Sequence, residues 1–254
     1  MGMFQDSLTL LRRYLTKLIR NPLLFGTNLV TPLVFLFLFS QLLGKLSVFP
    51  GVTGNYLTYL TPGVLVLNAM IQAPQSGVSM ANDLNSGFLS KVLVTRASRP
   101  AILIGRLMTD VVVVMLACFL VLAAAAADGV TFATGTWGIL LLLATVAIFE
   151  LAFAGLFLWI GIRTRQTETI SAVSGGLFFI LVFISSAMFP TSFFPPWART
   201  VSTYNPVSYA SNVVRGLVQG GLTWGTVISA YSVIGAIFLV TFAATWYQFR
   251  QVVR

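Results

Sequence analysis

Apolar runs of membrane-crossing length, separated by short polar intervals, dominate the chain. A helix needs about 20 predominantly apolar residues to cross the hydrocarbon core of a bilayer. Runs of that order cover Leu23–Leu43, Tyr56–Met80, Ala101–Ala127, Trp137–Ile162, Thr169–Met188 and Thr226–Phe249. The pattern predicts an all-α polytopic membrane protein with six transmembrane helices, forming a single transmembrane domain over residues 1–254.

The polar intervals carry patterns of their own. In residues 4–20, Phe4, Leu8, Leu11, Leu15 and Leu18 recur with helical spacing, and Arg12, Arg13, Thr16, Lys17 and Arg20 fill much of the remainder. This predicts a basic amphipathic helix lying in the headgroup plane. A signal peptide is not expected, because the next run is full length, lacks a small-residue cleavage site and is followed by further spans. In residues 82–100, Phe88, Leu89, Val92 and Leu93 set an apolar stripe along a short helix over Ser86–Thr95, and Pro100 closes the segment. Such a helix suits the membrane surface or a partner protein; a solvated connecting loop is the competing reading. Residues 189–224 break the periodicity at Pro190, Pro195 and Pro196. Asn205-Pro206 then supplies a helix start and Gly220-Gly221 a stop, for an element too short to span.

Individual residues inside the runs change the picture further. Pro62, Pro74, Gln72 and Gln75 break up the second run, which should therefore face protein rather than lipid. Arg106 and Asp110 stand four apart and can neutralise one another on one helix face. Glu150 lies near the middle of the fourth run, where a lone acid is a functional candidate facing the interior, a dimer interface or a substrate path. The bland alternative is a hydrogen-bonded acid against another helix. Ser171/Gly175 and Ala172/Gly176 offer a small-residue face for close helix approach.

Composition agrees: 57% of the 254 residues are hydrophobic and 8% charged, with a mean hydropathy of +0.91, where soluble domains carry about 25% charged residues. The net charge of +9 is explained by cytoplasmic loops rather than by nucleic acid. Of the 15 Lys and Arg residues, all but Lys45, Arg199 and Arg215 fall on the side of the two termini and the 82–100 interval. Both termini and that interval are thus expected in the cytoplasm, in a multi-pass protein of the cytoplasmic membrane.

Catalytic chemistry finds little support. The absence of histidine removes Ser-His and Cys-His pairs and His-ligated metals, and Cys118 alone excludes an intrachain disulfide or multi-cysteine metal site. Gly44-Lys45 lacks the preceding glycine and following Ser or Thr of a phosphate-binding loop. No catalytic or metal-binding residue and no cofactor is expected in this chain. An ion-gradient-driven secondary carrier is the alternative class; it usually needs more buried acids, and no inverted repeat is visible.

The arrangement resembles the membrane permease subunits of type-2 ATP-binding-cassette (ABC-2) exporters, and among them the daunorubicin-resistance-like permeases. The resemblance rests on the stretch Asp83-Leu84-Asn85-Ser86-Gly87-Phe88-Leu89-Ser90-Lys91-Val92-Leu93-Val94-Thr95, on Arg99 to Gly105-Arg106-Leu107, and on Asn205-Pro206…Tyr209…Arg215-Gly216-Leu217. Where the family often has Glu at the first acidic position and Pro after the threonine, this chain has Asp83 and Arg96. The resemblance implies an ATPase-coupling helix with Asp83, Gly87, Phe88, Leu89, Lys91, Val92 and Leu93 at the docking region. It implies that 4–20 is an interfacial elbow, and that Pro195, Trp197, Asn205, Pro206 and Arg215 belong to outer re-entrant helices over 189–224. Glu150, Gln72 and Gln75 are the expected polar groups of a substrate path or interface. It further implies two copies of a separate ATPase subunit carrying ATP and Mg, a homodimer or heterodimer with a related permease, contact with membrane lipids, and a hydrophobic drug-like or lipid/glycolipid cargo moved outward.

Overall fold

The structure is a computed structural model that describes residues 3–43, 56–94 and 99–252. The loop around Lys45, Pro50 and Gly51, and Arg96, lie outside the described residues. Among those described, all regular structure is helical.

Helix α1 (Met3–Ile19) leads through Asn21 into α2 (Pro22–Leu43). Helix α3 (Tyr56–Asn85) joins the six-residue α4 (Phe88–Leu93) through Ser86 and Gly87. Helices α5 (Arg99–Ala127), α6 (Gly135–Thr164) and α7 (Thr167–Phe183) follow. A 3₁₀ turn (Thr191–Phe193), α8 (Pro196–Thr203) and α9 (Pro206–Gln219) precede the last helix, α10 (Trp224–Val252).

Among the described residues, four helices are long and apolar enough to cross a membrane: α2, α5, α6 and α10. The other two expected spans take different forms. Helix α3 is 30 residues long and continuous through Pro62 and Pro74, and it runs past Met80 to Asn85. Its prolines and amides lower its hydropathy, and they are tolerated because other helices surround it: most of its residues are buried. Helix α7 has 17 residues and stops at Phe183, five short of the expected Met188.

That early stop has a visible cause. Asn205 Nδ2 donates to the Leu181 and Ile184 carbonyls at 2.7 and 2.8 Å, satisfying acceptors that a further helical turn would have used. The next carbonyls are taken too: Ser186 accepts from Tyr59 Oη at 3.1 Å and from Arg215 at 2.7 Å, and Met188 accepts from Tyr56 Oη at 3.0 Å. Asn205 also caps α9 through Val207 N–H, Pro206 occupies the first turn, and Gly220 ends the helix at φ 82°. Asn205, Pro206 and Arg215 thus hold a helix whose Val207, Val213, Val214 and Val218 are fully buried. Trp197, by contrast, is exposed beside Pro195 at the start of α8.

Helix contacts are closest at glycines. A Cβ on Gly77 of α3 would strike the Phe157 carbonyl of α6, and one on Gly161 would strike Gly77. Helices α6 and α10 run parallel, with Thr241 and Thr245 donating to the Ala152 and Gly155 carbonyls at 3.0 and 2.8 Å. The small-residue face expected on α7 plays no such part within the chain, because Gly175 and Gly176 have open space around them. Those glycines face outward, and the tight crossings fall where helices pass near the centre of the bundle.

Candidate functional site

The 82–100 interval builds its site from both ends. The α3–α4 junction needs a left-handed residue, and Gly87 supplies it at φ 67°. The short α4 is thereby folded back beside the end of α3. Of the apolar stripe Phe88, Leu89, Val92 and Leu93, Leu89 turns fully inward and Phe88 and Val92 are half-buried. Leu89 is 3% exposed and sits in the chain's own core with Leu10, Tyr14, Met80, Ile102 and Phe249. Val92 packs partly buried against the same cluster, and the Leu93 side chain lies outside the described residues. Burying Leu89 is worth about 2 kcal/mol, so this residue turns inward, while Phe88 and Val92 keep part of their surface exposed beside it. Lys91 and Val94 are what α4 exposes most, Val94 to 89%.

Asp83 is 2% exposed at the end of α3, and α1 closes over it. Tyr14 Oη donates to Asp83 Oδ2 at 2.8 Å, Arg13 approaches both carboxylate oxygens at 3.5 Å, and Lys17 Nζ stands 3.9 Å away. The Arg13 guanidinium also lies 3.3 Å over the Phe88 ring. Arg13 therefore touches α3 and α4 at once. Burial, and then the neighbouring Asp83, push the Tyr14 hydroxyl well above its ordinary pKa of 10.0, so it stays a donor. On the far side, Asn85 Nδ2 donates to the Arg165 carbonyl at 2.9 Å, joining this junction to the loop between α6 and α7. Arg165 itself is left-handed at φ 55°.

Arg13 and Tyr14 were not singled out from the sequence. The leucine stripe of α1 was expected against the acyl chains, and Leu8 is 52% exposed; the line turned into the chain's own core is Ser7, Leu10 and Tyr14. Helix α1 packs on α5 at Gly105, where a Cβ would meet Leu10 and Ser7. Its remaining leucines turn elsewhere, as expected for a helix with both protein and lipid as neighbours. The signal that could have found Tyr14 is its spacing from Leu10 and Ser7.

The intramembrane polar residues separate into two places. Gln72 and Gln75 line a polar cavity of about 120 Å³ between α1, α2, α3 and α5. Arg106 and Asp110 line it as well, as the expected i,i+4 pair at 2.6 Å, and Ser76 donates to the other oxygen of Asp110. Arg106 also donates to the Gln75 carbonyl at 3.1 Å. Glu150 is apart from that lining. It is 0% exposed on α6, and neither carboxylate oxygen has a hydrogen-bond partner among the described residues. The charges acting on it are those of Asp110 and Arg106.

Comparison with known proteins places this geometry. Residues 5–219 match the model of the ABC-2 type transporter family. The chain is similar to the daunorubicin resistance ABC transporter permease protein DrrB1 of Streptomyces coeruleorubidus, 29% identical over 194 residues. That match takes in 74% of this chain and 66% of the relative, just short of two thirds of the relative's length. It is also similar to a protein of Mycobacterium tuberculosis described as "Probable doxorubicin resistance ABC transporter permease protein DrrC", 24% identical over 82% of this chain and 75% of that one. The ycf38 protein of Pyropia yezoensis is 24% identical over 96% of this chain and 87% of its own length. With the family match running from α1 through the last residue of α9, the chain belongs to the ABC-2 type transporter family.

Proposed function

We propose that this chain is the membrane-spanning permease subunit of an ATP-driven exporter, carrying a hydrophobic drug-like or lipid-like cargo outward across the cytoplasmic membrane. The observation that carries the reading is the family match over residues 5–219. The ion-gradient carrier is set aside because that match is to an ATP-binding-cassette family. ATP and Mg act in a separate ATPase subunit, two copies of which serve a permease homodimer or heterodimer.

In this reading α2, α3, α5, α6, α7 and α10 are six spans, with α7 completed by the Ser185–Met188 turn. Both termini and α4 face the cytoplasm, supported by the Lys and Arg bias. Exposed Trp137, Trp197, Tyr204 and Trp224, at the starts of α6 and α10 and on or beside α8, suit the opposite interface. Helices α8 and α9 are the outer re-entrant element, to which Pro195, Trp197, Asn205, Pro206 and Arg215 belong. Helix α1 is the interfacial elbow, and Gln72, Gln75 and Glu150 are polar groups of the interior.

Helix α4 is the coupling element, and its role is to be held as much as to dock. Lys91 and Val94 meet the ATPase, while Leu89 and Val92 anchor α4 to the spans. Asp83, Gly87 and Phe88 join that anchor to α3 and, through Arg13 and Tyr14, to α1. A displacement of α4 by the closing ATPase then moves the ends of α1 and α3 together, the shared two-state element that coupling demands.

The test is to co-express the chain with a candidate ATP-binding-cassette ATPase subunit, purify the assembly, and measure ATP hydrolysis with daunorubicin and with lipid cargoes. Co-purification with cargo-stimulated hydrolysis is expected. A permease that moves cargo with no ATPase bound would overturn the reading.

A further inference from the structure

The cavity between α1, α2, α3 and α5 carries an unmet electrostatic requirement. Arg106 is 7% exposed, and its Nε has no hydrogen-bond partner among the described residues. The pairing with Asp110 and the bond to the Gln75 carbonyl both use the same terminal nitrogen, leaving Nε free. Lys17 adds a second cation to the lining and Asp110 the single anion, so the walls hold one positive charge in excess. Lys17 is also ion-paired with Asp83, which lies outside the lining at 3.9 Å and has Arg13 and Tyr14 as further partners; counting Arg13 and Asp83 with the walls leaves the same single positive excess. Around these charges stand neutral polar side chains, among them Asn28, Gln75 and Ser79.

Depth narrows the occupant. Lys17 precedes the first apolar window, which begins at Phe25, while Arg106 lies in the first turns of the window that begins at Pro100. The cavity therefore begins beside Lys17 at the end of the spans, at the level of lipid headgroups, and reaches inward along α5 to Asp110 and Val113. Exposed Arg12 and Arg20 on α1 would enrich anionic heads there. A phosphodiester brings a single negative charge, matching the excess; a phosphate monoester would bring up to two, with the Asp110 carboxylate already present.

We propose that this cavity binds the phosphodiester head of a membrane phospholipid, with Arg106 Nε and Lys17 Nζ on its free oxygens and the amides and hydroxyl around it. The bound lipid wedges α1 against α3 and α5, behind the Asp83 contact. It is a site on the permease alone and does not depend on the cargo or on the ATPase.

The experiment is native mass spectrometry of the purified chain titrated with dioleoylphosphatidylglycerol, so a failure leaves the exporter reading untouched. One tightly retained lipid per chain is expected. Lys17→Gln should weaken it about tenfold, the loss of a charge-assisted contact. Ser79→Leu, which fills the cavity without changing charge, should do the same. Arg12→Gln removes an equal charge outside the cavity and should weaken retention far less than Lys17→Gln. Millimolar glycerol 3-phosphate or inorganic phosphate should not displace the lipid. The proposal is overturned if Arg12→Gln weakens retention as much as Lys17→Gln, since that is surface attraction only. It is equally overturned if Lys17→Gln and Ser79→Leu both bind like the parent, or if the soluble phosphates compete fully, which makes the site one for free phosphate.

Discussion

Tyr14 and Asp83, 69 residues apart in the chain, are joined by a buried hydrogen bond of 2.8 Å that ties the first helix to the end of the third. Tyr14→Phe removes the donor and leaves a buried carboxylate relying on Arg13 and Lys17, costing about 1.5–3 kcal/mol. A lower melting temperature of the purified chain is expected, together with weaker cargo stimulation of the ATPase. Unchanged stability in Tyr14→Phe would show that Arg13 alone holds α1 in place.

The same contact has a defined pH response. Burial raises the Tyr14 pKa in the folded chain above the ordinary 10.0, so the contribution is fully present below that value. As pH rises beyond about 10, the unfolded chain ionises first and stability falls toward the raised folded value. The difference in thermal unfolding between the parent and Tyr14→Phe should be constant from about pH 7 to 9 and narrow between about pH 10 and 11.

Helix α4 should separate folding from coupling residue by residue. Leu89→Asp puts a charge into a core position and should impair folding or insertion by several kcal/mol. Val94→Asp and Lys91→Ala sit on the exposed side and should leave the chain folded while reducing ATPase co-purification or cargo-stimulated hydrolysis. A Leu89→Asp chain as stable as the parent would contradict the inward placement of α4.

Gly77→Ala should cost more than its chemistry suggests. Its methyl would collide with the Phe157 backbone, forcing α3 and α6 apart, a penalty of about 1–3 kcal/mol. Gly175→Ala, with nothing near it in the chain, should leave the melting temperature of the monomer unchanged. Loss of permease dimer without loss of fold in that variant would assign the outward α7 face to the subunit contact.

Glu150 is enclosed on α6 with no hydrogen-bond partner among the described residues. Glu150→Gln preserves shape and removes the charge, so normal folding with a mild change in transport is expected. Glu150→Lys places an unpaired ammonium in the buried interior and should prevent assembly. Size-exclusion profiles of the two variants check this, and a normally assembled Glu150→Lys would mean the site is wet.

Much of the architecture was legible in order along the chain because each signal is local. Apolar run length marked α2, α5, α6 and α10, since crossing a bilayer is a requirement on consecutive residues. Asn205-Pro206 and Gly220 marked α9, since caps act within one turn. Arg106 and Asp110 declared their pairing by spacing alone. Tertiary structure decided which way faces point. The apolar stripe of α4 was readable, but whether it served a partner or the chain's own core depended on Tyr14, Met80 and Phe249, which arrive from three other helices. The leucines of α1 and the glycines of α7 were equally readable, and both pointed away from the inward contacts. The reason is physical. An apolar face on α1, α4 or α7 can be covered by lipid, by a partner or by the chain itself, so periodicity marks the face without saying what covers it. Orientation then falls to a few buried polar contacts, such as Tyr14 with Asp83 and Asn205 with the end of α7, whose partners lie far away in sequence.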